Sequence, residues 1–129
     1  MQQTEISKKI LRVSNRFVRD LDRSLKEKKL EHAGRCIDSS LALAHHINSK
    51  TDALACVCHF WDRHAAVLVD GHVIDPTAKQ YDTRIKDLFY MDKSEYIYWL
   101  SGIFYMRGVF AMCGPWEDLE QQGKIKKLI

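Results

Sequence analysis

The dipeptide Asp70-Gly71 lies between two short apolar runs, and this arrangement limits how the chain can fold more than any other feature. The first run covers 64–69, and the second covers 72–75, directly before Pro76. Asp-Gly is a strong signal for a two-residue hairpin turn, because both central residues of that turn have positive φ. Proline cannot donate a hydrogen bond to a neighbouring strand, so the second strand should end before it. The sequence therefore predicts an antiparallel pair of strands.

A two-residue turn fixes the register of the hairpin. The predicted pairs are Val69 with His72, Leu68 with Val73, Val67 with Ile74 and Ala66 with Asp75. Because side chains alternate between the faces of a sheet, His64 and Asp75 are diagonal neighbours on one face. Such neighbours are about 7–8 Å apart, a gap that an imidazole and a carboxylate can close with a hydrogen bond. The hairpin therefore predicts that Asp75 orients His64.

A long helix is predicted ahead of the hairpin. From Ser7 to about Glu31, apolar residues recur every three or four positions, with Lys and Arg opposite them. Thr4 or Ser7 can cap the start of this helix, and Gly34 is the expected stop. The apolar stripe consists of Ile6, Ile10, Val13, Phe17, Leu21 and Leu25.

Further elements are predicted from the same patterns. A second helix is predicted over about 36–48, with an inward face made of Ile37, Leu41 and Ala44. The apolar run 54–61 predicts another strand, and the aromatic-rich stretch near the C-terminal third predicts a helix over about 93–100. We therefore expect an α+β fold in which N-terminal helices pack on an antiparallel sheet of three or more strands.

The chain has 129 residues, a length that fits one domain with a single core. Apolar residues make up 46% and charged residues 29% of the sequence, which is the composition of a folded protein and excludes a disordered or collagen-like chain. We predict a single domain over 1–129, divided into a basic N-terminal helix (1–33), a core (34–82) and a C-terminal extension (83–129).

The positive charge of the chain is local. The net charge is only +3, but residues 1–35 hold ten basic and five acidic side chains. A charged helix face is most often simply solvated, so we do not expect nucleic acid as a partner.

No stretch approaches the roughly 18 consecutive apolar residues of a membrane span. The N-terminus also lacks the basic and then apolar pattern of a secretion signal. We therefore expect a cytoplasmic protein with no membrane partner. In that compartment all four cysteines, namely Cys36, Cys56, Cys58 and Cys113, are expected to be free thiols.

Two of these cysteines raise the question of a metal site. Cys56 and Cys58 share a strand face, but only one residue separates them. Structural zinc sites usually place two to four residues between paired cysteines. Core packing in a central strand is therefore favoured over zinc binding, and neither a metal nor a cofactor is expected.

Cys36 is the candidate nucleophile that a His64–Asp75 pair would need. A thiol at a helix N-terminus feels the positive end of the helix dipole, and beside a histidine it ionises below its usual pKa of about 8.5. The carboxylate would fix the histidine tautomer and stabilise the imidazolium that forms. Backbone N–H groups at the same helix start can hold an oxyanion.

Two stretches of the sequence resemble a known enzyme core. The first is Gly34-Arg35-Cys36-Ile37-Asp38-Ser39-Ser40-Leu41-Ala42-Leu43, and the second runs from His64 through Asp70-Gly71 to Asp75-Pro76-Thr77. Together they are similar to the transglutaminase-like superfamily of papain-fold cysteine enzymes, and to the small leader peptidases of lasso-peptide biosynthesis. The resemblance covers roughly Gly34 to Asp82.

The resemblance implies a papain-like core with a catalytic triad of Cys36, His64 and Asp75. It implies cysteine-dependent acyl transfer or hydrolysis on a protein or peptide amide, as in a protease, a deamidase or a transglutaminase-like enzyme. The family often has Trp where Ala66 stands, so the rim of the site is expected to be more open. Gln80 is a candidate for the polar side chain that such enzymes add to hold the oxyanion.

Each member of the triad also has an ordinary structural interpretation. Cys36 could be a core residue, His64 a structural hydrogen-bonding residue, and Asp75 a turn former. The alternative function is a catalytically silent papain-like fold that binds protein or nucleic acid through its basic helix or through the region of Trp116. The reactivity of the Cys36 thiol discriminates the two interpretations.

Overall fold

The computed structural model describes residues 6–60, 64–104 and 111–114. The described residues form three α-helices and five strands in the order α1 (Lys8–Glu27), α2 (Cys36–Lys50), β1 (Cys56–Phe60), β2 (His64–Val69), β3 (His72–Ile74), a 3₁₀ turn (Ala78–Gln80), β4 (Tyr90–Asp92), α3 (Lys93–Phe104) and β5 (Ala111–Gly114). The strands lie in the order β4-β3-β2-β1-β5, and every neighbouring pair is antiparallel. The predicted α+β class is therefore confirmed.

Helices cover both faces of the sheet. Alternate strand residues pack against α1 and α2 on one face, where the buried cluster includes Ile10, Leu43, Ile47, Val57, Ala65, Val67 and Ile74. The residues between them pack against α3 in a second buried cluster of Cys58, Phe60, Ala66, Val73, Tyr96, Ile97 and Leu100. The N-terminal helices pack on the sheet as predicted. The sequence did not predict that α3 covers the second face of the sheet.

The hairpin forms at the predicted turn. Asp70 has φ 50° and Gly71 has φ 74°, the positive values that a two-residue hairpin turn requires. Three of the four predicted pairs are present, namely Val69 with His72, Leu68 with Val73 and Val67 with Ile74. The fourth pair is wrong, because β3 ends at Ile74. The N–H of Asp75 instead donates to the carbonyl of Phe89, at 3.0 Å.

The first helix is shorter than predicted. Ser7 caps its start, since the N–H of Lys9 donates to Ser7 Oγ at 3.2 Å. The helix ends at Glu27 rather than at about Glu31, because Lys29 adopts φ 56° and the N–H of Leu30 returns to the carbonyl of Leu25 at 2.8 Å. Gly34 has φ 79° but lies in the loop beyond, so the prediction that it stops the helix is wrong.

The later elements lie close to their predicted positions. The second helix was predicted over about 36–48 and runs over 36–50, whereas the third was predicted to end near 100 and continues to 104. The inward face of α2 is shifted from the predicted one. Ala44 is buried, Ile37 and Leu41 are half-buried, and the fully buried apolar residues are Leu43 and Ile47.

The prediction that all four cysteines are free thiols is wrong for Cys58. Cys36 and Cys56 form no disulfide, whereas Cys58 is disulfide-bonded. Cys58 lies in β1 opposite Cys113 of β5, a backbone pairing between distant parts of the chain that the sequence pattern did not reveal. Among the described residues, no helix is long and apolar enough to cross a membrane.

Candidate active site

The fold brings the three residues singled out from the sequence into one network. Cys36 is the first residue of α2, His64 is the first residue of β2, and Asp75 directly follows β3. The Cys36 thiol hydrogen-bonds the His64 side chain. On the other side of the ring, His64 Nε2 lies 2.8 Å from Asp75 Oδ2. The diagonal contact predicted between His64 and Asp75 is therefore present, although Asp75 lies just outside the strand.

One strand residue holds the start of α2 in place. Ala65 has no partner in β3, whose pairing with β2 ends at Val67 and Ile74. Its backbone instead hydrogen-bonds two side chains of α2. Ser40 Oγ donates to the Ala65 carbonyl at 3.2 Å, and the Cys36 thiol hydrogen-bonds the Ala65 backbone. Residues four apart lie on one side of a helix, so these two contacts fix the position of the Cys36 sulfur against β2.

Asp75 is a fully satisfied buried carboxylate. Its Oδ1 accepts hydrogen bonds from the Thr77 backbone N–H at 3.0 Å and the Thr77 hydroxyl at 3.3 Å. Its Oδ2 accepts from the Tyr96 hydroxyl at 2.6 Å in addition to the contact with His64. Both His64 and Tyr96 are 0% exposed, and Asp75 is 2% exposed. A buried charge with this many donors is held in one geometry.

The tautomer of His64 can be assigned from these contacts. A carboxylate can only accept hydrogen bonds, so Nε2 of His64 is protonated and donates a hydrogen bond to Asp75. Because Asp75 occupies Nε2, we assign the hydrogen bond with the Cys36 thiol to Nδ1. The hydroxyl of Tyr81 lies 3.0 Å from the same Nδ1. The ring therefore has a polar neighbour at each nitrogen.

The electrostatics of the site favour a charged thiol–imidazole pair. Burial alone raises the pKa of the Cys36 thiol, but the hydrogen bond and charge of His64, together with the Ala65 backbone, outweigh burial and leave the pKa below its ordinary value. Burial alone lowers the pKa of His64, but the charge and hydrogen bond of Asp75, with a smaller contribution from Cys36, raise it to about 9. Between these two limits the site holds a thiolate beside an imidazolium.

We expect the imidazole of His64 to titrate near pH 9 rather than near its ordinary 6.5, because the charge of Asp75 stabilises the imidazolium. In Asp75→Asn that charge is absent, so the His64 titration should move to lower pH. The measurement is an NMR titration of the His64 ring resonances in the unmodified protein and in Asp75→Asn. A His64 resonance that titrates near 6.5 in the unmodified protein would contradict this electrostatic account.

Sequence reasoning missed three residues of the site. Thr77 had a signal, because an Asp two residues before it can form a local turn in which the carboxylate accepts the later N–H. Tyr81 and Tyr96 had none, since only the tertiary packing brings them to His64 and Asp75. The aromatic stretch that contains Tyr96 is predicted to be core, and Tyr96 is indeed buried. That prediction did not include the hydrogen bond from its hydroxyl to Asp75.

The structure places Ala66 and Gln80 differently from what the sequence predicts. Ala66 was expected at an open rim, but it is 0% exposed and packs in the cluster beneath α3. Gln80 was the candidate for holding the oxyanion, whereas its Nε2 donates to the Thr77 hydroxyl at 3.0 Å. The region of Trp116 lies outside the described residues.

Over 6–60, 64–104 and 111–114, no group of three or more His, Cys, Asp or Glu side chains is arranged to hold a metal ion. No protein-family model, curated protein or solved structure matches the chain.

Proposed function

We propose that this protein is a cysteine-dependent acyl-transfer enzyme that acts on a protein or peptide amide. The observation that carries the proposal is the buried His64, which is bonded through Nε2 to Asp75 and hydrogen-bonded on its other side to Cys36. Core cysteines need no such histidine, and structural histidines need no adjacent free thiol at a helix start. The resemblance of residues 34–82 to papain-fold enzymes supports the same assignment.

Acylation uses the charged pair directly. The Cys36 thiolate attacks the carbonyl carbon, and a C–S bond forms as the carbonyl π electrons move onto oxygen. When the tetrahedral intermediate collapses, the C–N bond breaks and His64 Nδ1 gives its proton to the leaving amine. The products of this step are a thioester on Cys36, a neutral His64 and a free amine.

The oxyanion of that intermediate needs donors beside the sulfur. The first N–H groups of a helix have no partner within the helix, and the residue before α2, Arg35, supplies no side-chain cap. The first intrahelical bond closes from the Ser39 N–H to the Arg35 carbonyl, at 2.9 Å. We assign the backbone N–H groups at Cys36 and Ile37 as oxyanion donors, a role in which each such donor contributes about 10²–10³ in rate.

Deacylation reverses the roles of the same groups. His64, now neutral at Nδ1, takes a proton from water or from an amine as that nucleophile attacks the thioester carbonyl. The C–S bond then breaks, and the thiolate of Cys36 is regenerated beside the imidazolium. Attack by water gives proteolysis or deamidation, and attack by an amine gives transamidation.

The test uses p-nitrophenyl acetate, an activated ester that needs no recognition of a particular peptide. We expect a burst of about one equivalent of nitrophenolate at neutral pH, before a slower turnover phase. Mass spectrometry of the trapped protein should find one acetyl group, and peptide mapping should place it on Cys36 rather than on Cys56, which also forms no disulfide.

The same experiment separates the two classes of function. A catalytically silent binding module should give no burst, and acetyl groups should then be spread over exposed lysines. Acetylation of Cys36 at the rate of an unperturbed thiol would also count against the enzyme. After a positive result, a library of peptide amides with and without an added amine would show which acceptor takes the acyl group.

A further inference from the structure

We infer that Tyr81 is a positioning residue whose hydroxyl stabilises the thiolate–imidazolium form of Cys36 and His64. This inference rests on the proposed function, because it concerns the same catalytic pair. It assigns to Tyr81 a role that the triad alone does not contain. The location of the hydroxyl, the contacts that hold its ring and the charge state that it favours all support this role.

The hydroxyl of Tyr81 lies at the reactive nitrogen of His64, since it is 3.0 Å from Nδ1. The two rings meet edge to face, with centroids 5.0 Å apart and an interplanar angle of 76°. Phe104 and Trp99 of α3 contact the Tyr81 ring at centroid distances of 5.4 and 6.4 Å. The hydroxyl is therefore held at Nδ1 by a ring that has contacts on several sides.

A single short segment delivers polar groups to both nitrogens of the imidazole. Asp75 reaches Nε2 and Tyr81 reaches Nδ1, and only the loop and the 3₁₀ turn lie between them. Thr77 ties this segment together, because it donates to Asp75 and accepts from Gln80. A shift of the segment would move both partners of His64 at once, so their positions are coupled.

The titratable groups that interact here come from every element around the ring. They are Cys36 on α2, His64 on β2, Asp75 and Tyr81 on the segment after β3, and Tyr96 on α3. Burial, and to a smaller extent the charges of Cys36 and Asp75, raises the pKa of Tyr81. The phenol therefore keeps its proton while the thiol and the imidazole titrate.

A neutral phenol at this place favours the charged pair over the uncharged one. When the pair is charged, the phenol oxygen can accept from the Nδ1–H of an imidazolium and its O–H is available to the thiolate. When the pair is uncharged, the phenol can offer only an ordinary hydrogen bond to neutral Nδ1. Hydrogen bonds to ionised groups are roughly twice as strong as those between neutral groups. The hydroxyl of Tyr81 therefore lowers the pH at which the thiolate forms.

The test is the pH dependence of Cys36 alkylation by iodoacetamide in Tyr81→Phe. This substitution keeps the ring and its contacts and removes only the hydroxyl. We expect the midpoint of the alkylation profile to move up by about half to one pH unit, since the loss is one charge-assisted hydrogen bond. Tyr98→Phe is the matched control, because Tyr98 on α3 is 82% exposed and should leave the midpoint unchanged.

Each outcome of this experiment has a separate meaning. An unchanged or lowered midpoint in Tyr81→Phe would overturn the role of Tyr81. A Tyr81→Phe chain that fails to fold, as judged by circular dichroism, would also overturn it, because the hydroxyl would then be a structural requirement. If the unmodified protein already alkylates with the profile of an ordinary thiol, near pH 8.5, the proposed function itself fails, because no charged pair exists.

Discussion

Cys36→Ala is expected to remove the nitrophenolate burst completely, because the acyl group would have no sulfur to which it could bond. The fold should remain. Cys36 is only half-buried, and truncation of its side chain leaves the Ser40 contact of α2 with β2 in place. We expect a loss of unfolding free energy below about 2 kcal/mol. The measurements are stopped-flow absorbance for the burst and urea unfolding for stability.

Cys56→Ala is the matched control for this prediction. Cys56 is also half-buried and forms no disulfide, but it lies in β1, where its thiol donates to the Leu68 carbonyl at 3.8 Å. We expect its burst amplitude to equal that of the unmodified protein. A burst that survives in Cys36→Ala, or one that is lost in Cys56→Ala, would place the nucleophile elsewhere.

Asp75→Ala should produce the largest loss of stability of any single substitution in the site. The substitution leaves the N–H and hydroxyl of Thr77, the hydroxyl of Tyr96 and the imidazole of His64 without their shared acceptor. Removal of one partner from a buried charged pair typically costs about 3–5 kcal/mol. Urea unfolding monitored by circular dichroism at neutral pH would measure this loss.

Two further variants test whether the loss of stability comes from the buried hydrogen bonds of Asp75. Asp75→Asn keeps an oxygen that can accept from Thr77, so we expect it to lose clearly less stability than Asp75→Ala. Asp20→Ala is the exposed control, because Asp20 is 62% exposed and its pair with Arg23 is a surface contact at 3.9 Å. The free energy of unfolding of Asp20→Ala should stay within about 0.5 kcal/mol of that of the unmodified protein. Equal losses in Asp75→Ala and Asp20→Ala would mean that the buried network contributes nothing to stability.

The part of the site that could be predicted from the sequence is the part set by local geometry. The turn at Asp70-Gly71 fixes a register, and the register alone predicts that His64 and Asp75 meet. The position of Cys36 is set by a helix start that local pattern also indicates. These predictions needed no knowledge of how distant segments pack.

The remaining features depend on tertiary packing or on backbone detail that sequence patterns do not specify. Tyr96 reaches Asp75 because α3 packs on the second face of the sheet, and Tyr81 reaches His64 because a 3₁₀ turn redirects the chain. The first helix ends at Glu27, two residues before Lys29, a non-glycine residue whose positive φ no propensity rule selects. The strand pairing of Cys58 likewise joins segments that are far apart in the chain.

The hydrogen bond from Tyr96 to Asp75 extends the buried network of the candidate site beyond residue 82. The sequence pattern predicts a core that closes at residue 82 and assigns 83–129 to an extension. Tyr96 lies beyond that boundary, yet its buried hydroxyl is one of the donors to the carboxylate that orients His64. A fragment cut after residue 82 would keep Cys36, His64 and Asp75 and still lack a donor that their geometry requires. Any transplant of the hydrogen-bonded network of Cys36, His64 and Asp75 into another scaffold therefore has to carry α3 as well.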